Sequence, residues 1–89
     1  MKMNRARFND DFTIDVVFQL GEARKFNMLD TIKENRAWEN CDWLKTFKTP
    51  DTFTHRLISW TCGDWYYGDS IFEEGIAIPP FDGGIEREY

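Results

Sequence analysis

The side chains that could carry covalent chemistry in this 89-residue chain are one histidine, His55, and two cysteines, Cys41 and Cys62. A catalytic thiol needs a base within hydrogen-bond reach and an electropositive setting that lowers its pKa. In an extended segment His55 and Cys62 are seven residues apart and point to opposite faces. Cys41 falls on an apolar helical face, where burial raises a thiol pKa. We therefore interpret both cysteines as reduced structural thiols and expect no enzymatic activity.

The carboxylates are the other groups that could do chemistry, as ligands of a metal ion. Zinc ligands usually occur as close Cys or His pairs, and the chain has none. Asp64, Asp69, Glu73 and Glu74 offer oxygens for calcium or magnesium, but no D-x-D-x-D-G loop arranges them. We expect no metal and no cofactor.

Aromatic and acidic residues are the most informative part of the composition. Aromatic side chains make up 17% of the chain, and the net charge is −5. Residues 1–9 hold three basic side chains and no acid, whereas residues 64–89 hold seven acids and a single arginine. A net negative charge disfavours direct binding to nucleic acid. Aromatic rings supply much of the energy at protein interfaces, so the chain is typical of a protein that binds a basic protein.

The run Trp65-Tyr66-Tyr67 is the strongest candidate for a binding surface. Aromatic residues in small sheets often pack across strands, and this interpretation also fits Trp60 and Trp65. In a regular strand, however, Tyr66 must point away from its two neighbours, so at least one of the three rings is expected at the surface. We predict that the partner-binding residues are Asp64, Trp65, Tyr66, Tyr67, Asp69, Glu73 and Glu74.

These features favour a small inhibitor that docks an acidic, aromatic surface on a basic nucleic-acid-binding protein or nuclease, whose groove accepts negative charge. In length and composition the chain resembles phage-encoded antagonists of host defence and immunity proteins that block toxic nucleases. No family motif carries this resemblance, so it assigns no residue roles. The alternatives are a homodimer formed through the aromatic patch and a small-ligand module with an aromatic cage.

The elements that must position these residues follow from the hydrophobic pattern. Residues 12–20 alternate apolar and polar side chains, which predicts a strand with one buried face. Residues 22–36 favour a helix, with a strand over 24–29 as the alternative. A helix is expected over 32–47, because Thr31 and Glu34 have capping-box spacing and apolar residues recur on one helical face. Pro50 ends it.

The second half of the chain is richer in strand formers. Residues 53–67 predict two strands with Gly-Asp turns or bulges, and short strands are expected at 71–72 and 76–78. The order of elements predicts an α+β fold: a small antiparallel sheet of three to four strands with one or two helices on one face. We expect one domain over 1–89, with a basic N-terminal arm (1–9) and a flexible tail (82–89). No apolar run is long enough to span a membrane, and a cytoplasmic location is expected.

Overall fold

The computed structural model describes residues 1–88 and has a mixed α+β fold built from two antiparallel sheets. One sheet has five strands in the order β7-β3-β2-β1-β8, and the other has three in the order β4-β5-β6. The elements in chain order are β1 (Met3–Phe8), β2 (Thr13–Phe18), β3 (Ala23–Asn27), α1 (Leu29–Glu34), a 3₁₀ turn (Arg36–Trp38), α2 (Trp43–Lys48), β4 (Thr52–Phe53), β5 (Leu57–Ser59), β6 (Trp65–Tyr67), α3 (Gly68–Glu74), β7 (Ile76–Ile78) and β8 (Ile85–Glu86).

Strand β2 lies at the centre of the five-stranded sheet and is buried on both faces. Ile14, Val16 and Phe18 face the main core. Asp15 and Val17 lie on the opposite face, which we call the outer face, and are also buried. The predicted strand is therefore confirmed, but the expectation of a single buried face is wrong.

Residues 79–84 explain the burial of the outer face, and we call them the crossover segment. They join β7 at one edge of the sheet to β8 at the other edge, so they must pass over a face. The Arg7 guanidinium carbon lies 4.2 Å from the centre of the Phe81 ring, and Arg5 donates a hydrogen bond to the Phe81 carbonyl oxygen. Arg5 and Arg7 pair with Val17 and Asp15, so the crossover segment covers these two residues.

The core between the sheets and the helices is largely aromatic. Phe8 meets Phe47 edge-on with 5.6 Å between ring centres, and Phe47 stacks on Trp60 at 6.2 Å. The ring centres of Trp38 and Trp60 are 5.7 Å apart. Phe8, Trp38, Phe47 and Trp60 come from four different parts of the chain. Because such rings bury large apolar areas, their packing holds the helical segment against both sheets.

The α+β class is confirmed, but the sheet content was underestimated. Eight strands form two sheets, where three to four strands in one sheet were expected. The basic arm contains β1, which pairs with both β2 and β8. The expected tail is not a free end, because Arg87 N donates to Asn4 O and Glu88 N donates to Phe53 O. Tyr89, the last residue of that expected tail, lies outside the described residues.

Several predicted element boundaries also need correction. Ala23–Asn27 is strand β3 and not a helix, because it pairs with β2 on one side and β7 on the other. The single helix predicted over 32–47 is broken: Asn35 and Asp42 each accept a hydrogen bond at the start of a new helical segment. Residues 71–72, expected as a strand, belong to α3. Within residues 1–88, no helix combines the length and the apolar character needed to cross a bilayer.

Candidate binding surface

Strand β6 places Trp65 and Tyr67 on the solvent side of the three-stranded sheet. The strand pairs antiparallel with β5, where Trp65 lies opposite Ser59 and Tyr67 opposite Leu57. Trp65 and Tyr67 are 55% and 53% exposed, whereas Leu57 is half-buried. We call Leu57, Trp65 and Tyr67 the aromatic face. Leu57 was missed at the sequence level, although its alternation with the buried Ile58 is the signal that places it there.

Tyr66, between the two exposed rings, points to the opposite side. Its ring lies 5.0 Å from that of Phe26, and its hydroxyl donates to the Thr31 hydroxyl oxygen over 3.0 Å. Ile58, its partner on β5, is buried in the core. Tyr66 therefore anchors β6 to strand β3 and helix α1, and it holds its neighbours outward.

Asp64 is a buried carboxylate that orders the start of β6. One oxygen accepts from the Trp38 indole nitrogen at 2.8 Å, and the other accepts from the Trp65 backbone nitrogen at 2.9 Å. The Asp64 carbonyl oxygen also accepts from Trp60 N. Both carboxylate oxygens are thus engaged within the fold, and Asp64 positions the aromatic face from behind.

The remaining predicted acids lie on α3, which begins directly after Tyr67. Asp69, Glu73 and Glu74 are exposed. Asp69 and Glu73 are four residues apart and so share one side of the helix. Asp69 pairs with the N-terminal ammonium group of Met1, and this hydrogen bond and charge hold the pKa of its carboxyl below the ordinary value. The side of α3 that follows the aromatic face is therefore negatively charged.

Helix α3 has a fixed position beneath these acids. Ile71 is fully buried. The ring centres of Phe72 and Phe18 are 5.2 Å apart, and the Arg24 guanidinium carbon lies 4.1 Å from the centre of the Phe72 ring. Gly68 is also buried, and a Cβ there would lie 2.9 Å from the Met1 carbonyl oxygen. The packing of the helix underside leaves Asp69 and Glu73 facing solvent.

Cys41, Cys62 and His55, the groups that could carry covalent chemistry, are all half-buried. Cys41 donates from its Sγ to the Trp38 carbonyl oxygen at 3.3 Å, and both cysteines are half-buried free thiols. Burial raises the pKa of the Cys62 thiol, which disfavours the reactive thiolate. His55 is half-buried, and its carbonyl oxygen accepts from Met3 N. Among residues 1–88, no group of three His, Cys, Asp or Glu side chains is arranged to hold a metal ion.

Five of the seven predicted binding residues are exposed within residues 65–74: Trp65, Tyr67, Asp69, Glu73 and Glu74. The other two, Asp64 and Tyr66, lie beneath them and support them. Comparisons of the chain with protein-family models, curated protein sequences and solved structures find no match.

Proposed function

We propose that this chain is a protein-binding module that docks its aromatic face and the acids of α3 on a basic partner. The observation that carries the proposal is the exposure of Trp65 and Tyr67 on a sheet whose opposite side is core. Isolated apolar side chains at a surface are common. Two large rings side by side on a short, anchored strand form a patch of the kind enriched at interfaces.

The chemistry of the two exposed rings favours an arginine as the group they bind. Residues i and i+2 on a strand lie about 6.6 Å apart on the same side, so Trp65 and Tyr67 offer neighbouring ring faces. A planar guanidinium group binds such faces by cation–π attraction. The exposed carboxylate of Asp69, two residues beyond Tyr67, would exchange the Met1 ammonium group for the same cation.

The charge distribution extends this preference from one arginine to a basic surface. Residues 64–89 carry seven acids and one arginine, and three of the acids follow the aromatic face on α3. Complementary charge speeds association and selects the partner. The partner class that we propose is a nucleic-acid-binding protein or nuclease, because its phosphate-binding groove is built from Lys and Arg side chains. Occupying that groove would make the chain an inhibitor.

Affinity capture from a nuclease-treated lysate at low and high salt tests the proposal. We expect the wild type to retain a basic nucleic-acid-binding protein that is lost at high salt, because screening weakens exposed charge pairs. Trp65→Ala with Tyr67→Ala, and separately Glu73→Lys with Glu74→Lys, should each abolish the capture. Leu44→Ala, also an exposed apolar side chain, and Glu34→Lys with Glu39→Lys serve as matched controls.

The two alternative functions give different results in the same preparation. A homodimer formed through the aromatic face would show a doubled solution mass that Trp65→Ala with Tyr67→Ala returns to the monomer value. A small-ligand cage would show Trp fluorescence changes with small organic cations and no retained protein. Capture that is unchanged in both double variants would remove the aromatic face from the proposed function.

A further inference from the structure

Strand β6 lies at the edge of its sheet, and its backbone groups face two sides alternately. The sheet order is β4-β5-β6, so within residues 1–88 no strand pairs on the far side of β6. On the near side, Gly68 N donates to Arg56 O at 2.7 Å, just beyond the last residue of the strand. Since residues two apart in an antiparallel ladder face the same neighbour, Tyr66 also faces β5. The backbone groups of Trp65 and Tyr67 therefore face the open edge.

The neighbouring hydrogen bonds agree with this alternation. Thr54 N donates to Leu57 O at 2.9 Å, so Leu57 faces β4 and not Tyr67, which lies opposite it on β6. At the start of β6, Trp60 N donates to Asp64 O at 2.9 Å. Both ends of the strand thus assign the same residues to the open edge.

Two of the four backbone groups at this open edge are used within the fold. Trp65 N donates to the Asp64 carboxylate at 2.9 Å. Tyr67 is the N-cap of α3, and an N-cap carbonyl oxygen accepts the first hydrogen bond of its helix. The other two groups, Trp65 O and Tyr67 N, make no hydrogen bond within residues 1–88. Because both residues are more than half exposed, an acceptor and a donor at a sheet edge are open to a second chain.

We propose that an extended segment of the partner adds to β6 as a parallel strand. In parallel pairing, one residue of the added strand donates its N–H to Trp65 O and accepts with its carbonyl oxygen from Tyr67 N. Antiparallel pairing would bond these two groups to two different residues, and each of those residues would also face a group that the fold already uses. The inference rests on the proposed function, because it takes the partner to be a basic protein.

The pleat of the sheet fixes which side chains of the added segment meet the aromatic face. The central residue pairs with Tyr66 and points to the same side, where the Tyr66 hydroxyl is bonded to Thr31, so a small side chain suits this position. Its two neighbours point to the solvent side, beside Trp65 and Tyr67. The parallel direction carries the segment onward to the exposed carboxylate of Asp69. Ring faces and negative charge favour arginine at both neighbouring positions, which gives the order arginine, small residue, arginine.

Backbone N-methylation of a peptide tests the strand pairing. We titrate the intact ¹⁵N-labelled chain with an end-blocked peptide of sequence Gly-Arg-Ala-Arg-Gly and with two forms that carry a single N-methyl group. Methylation of the alanine nitrogen removes the donor to Trp65 O and should weaken binding about fivefold or more, as expected for one lost hydrogen bond. Methylation of the arginine nitrogen that follows is the matched control, because its N–H faces away from β6 and binding should be unchanged. The Tyr67 amide proton should exchange more slowly in the complex.

The direction of the added strand is tested with a spin label on the same peptide. A parallel strand runs from the end of β6 near Gly63 towards α3. A label at the peptide C-terminus should therefore broaden the Glu73 amide signal, and a label at its N-terminus should broaden that of Gly63. The reverse pattern would overturn the parallel strand.

The same titrations separate the added strand from the proposed function. Equal affinity of all three peptides, or a Tyr67 amide whose exchange is unchanged at saturation, would overturn the strand pairing. If the Trp65 indole N–H still shifts in that case, arginine binding by the aromatic face stands without it. Stronger weakening by the methyl group on arginine would also contradict parallel pairing, since it would turn the alternate residues of the peptide towards β6. No Trp65 shift with the unmethylated peptide would overturn both proposals.

Discussion

Asp15 is a carboxylate at the centre of the five-stranded sheet, and only 1% of its side chain is exposed. Arg7 Nη2 and Asn9 Nδ2 donate to one oxygen at 2.8 and 3.0 Å, and Lys25 Nζ lies 2.9 Å from the other. Burial, the largest single influence, raises the pKa of Asp15. The contacts from Lys25, Asn9 and Arg7 together outweigh it, so the pKa lies below its ordinary value.

Acid should therefore destabilise the fold through Asp15. Because the folded pKa is below the unfolded pKa of about 3.9, the stabilisation is present above that pH and is lost as the pH falls through the folded pKa. Asp15→Asn should cost about 1–3 kcal/mol at neutral pH, since Arg7 and Lys25 are half-exposed and retain part of their hydration. Urea unfolding across pH 7 to 2 should show the two proteins converging in acid. A constant gap, or a similar cost for the exposed Asp51→Asn, would contradict this assignment.

Asp64 and Asp69 give a second prediction at the residue scale, because only one of these carboxylates is built into the fold. Asp64→Ala leaves the buried Trp38 indole N–H without its acceptor and should reduce the free energy of unfolding by about 2–3 kcal/mol. Asp69→Ala removes an exposed carboxylate whose partner is the Met1 ammonium group, so it should cost less stability than Asp64→Ala while weakening partner binding. Urea denaturation of the two variants side by side measures the difference. Equal stability of both would mean that Asp64 is available to a partner after all.

At the scale of elements, the crossover segment and β8 are what the hydrophobic pattern could not predict. Two prolines, two glycines and few apolar residues over 79–84 are typical of a loose end. The segment is instead held by Arg5 and Arg7, whose positions on β1 cannot be read from the local sequence. Strand β3 was expected only as the alternative to a helix, for a related reason: Ala23, Arg24 and Lys25 are good helix formers, and long-range pairing overrides that preference.

Elements with a strong local signal were predicted well. The alternation in β2, the strand formers of β5 and β6, and the apolar run of β7 are each recovered near their expected positions. The exposure of at least one ring in residues 65–67 also followed from period-two alternation. The different roles of Asp64 and Asp69 could not be predicted, because they depend on Trp38, 26 residues before Asp64 in the chain.

Substitution of Gly84 tests whether β8 is docked against β1. It has a φ of +86°, and a Cβ there would lie 2.5 Å from the Ala6 carbonyl oxygen, whereas Gly83 has the same φ with no atom within 4 Å. Gly83→Ala should cost about 1 kcal/mol from the backbone conformation alone. Gly84→Ala adds a clash with β1 and should cost about 2–4 kcal/mol, as expected for overpacking. Thermal unfolding of the pair measures the difference, and a free tail would make both substitutions silent.

At the scale of the whole molecule, the two sheets have separate roles. The five-stranded sheet is covered on one face by the core and on the other by the crossover segment. The three-stranded sheet uses one face for the core and leaves Trp65 and Tyr67 at the surface. The acids of α3 follow directly, so the proposed binding surface is presented by short elements that the aromatic core holds in place.

The most direct test of this surface is a titration of the ¹⁵N-labelled chain with an arginine-rich peptide, followed at the Trp65 indole N–H. We predict a saturable shift of Trp65 and of the Tyr67 amide that weakens with salt and is smaller with a lysine peptide of equal charge, because guanidinium stacks on rings better than ammonium. Trp38 and Trp60, whose indoles are buried and hydrogen-bonded, are the internal controls. Shifts confined to the acids of α3, with Trp65 and Tyr67 unchanged, would contradict the aromatic face as the binding surface.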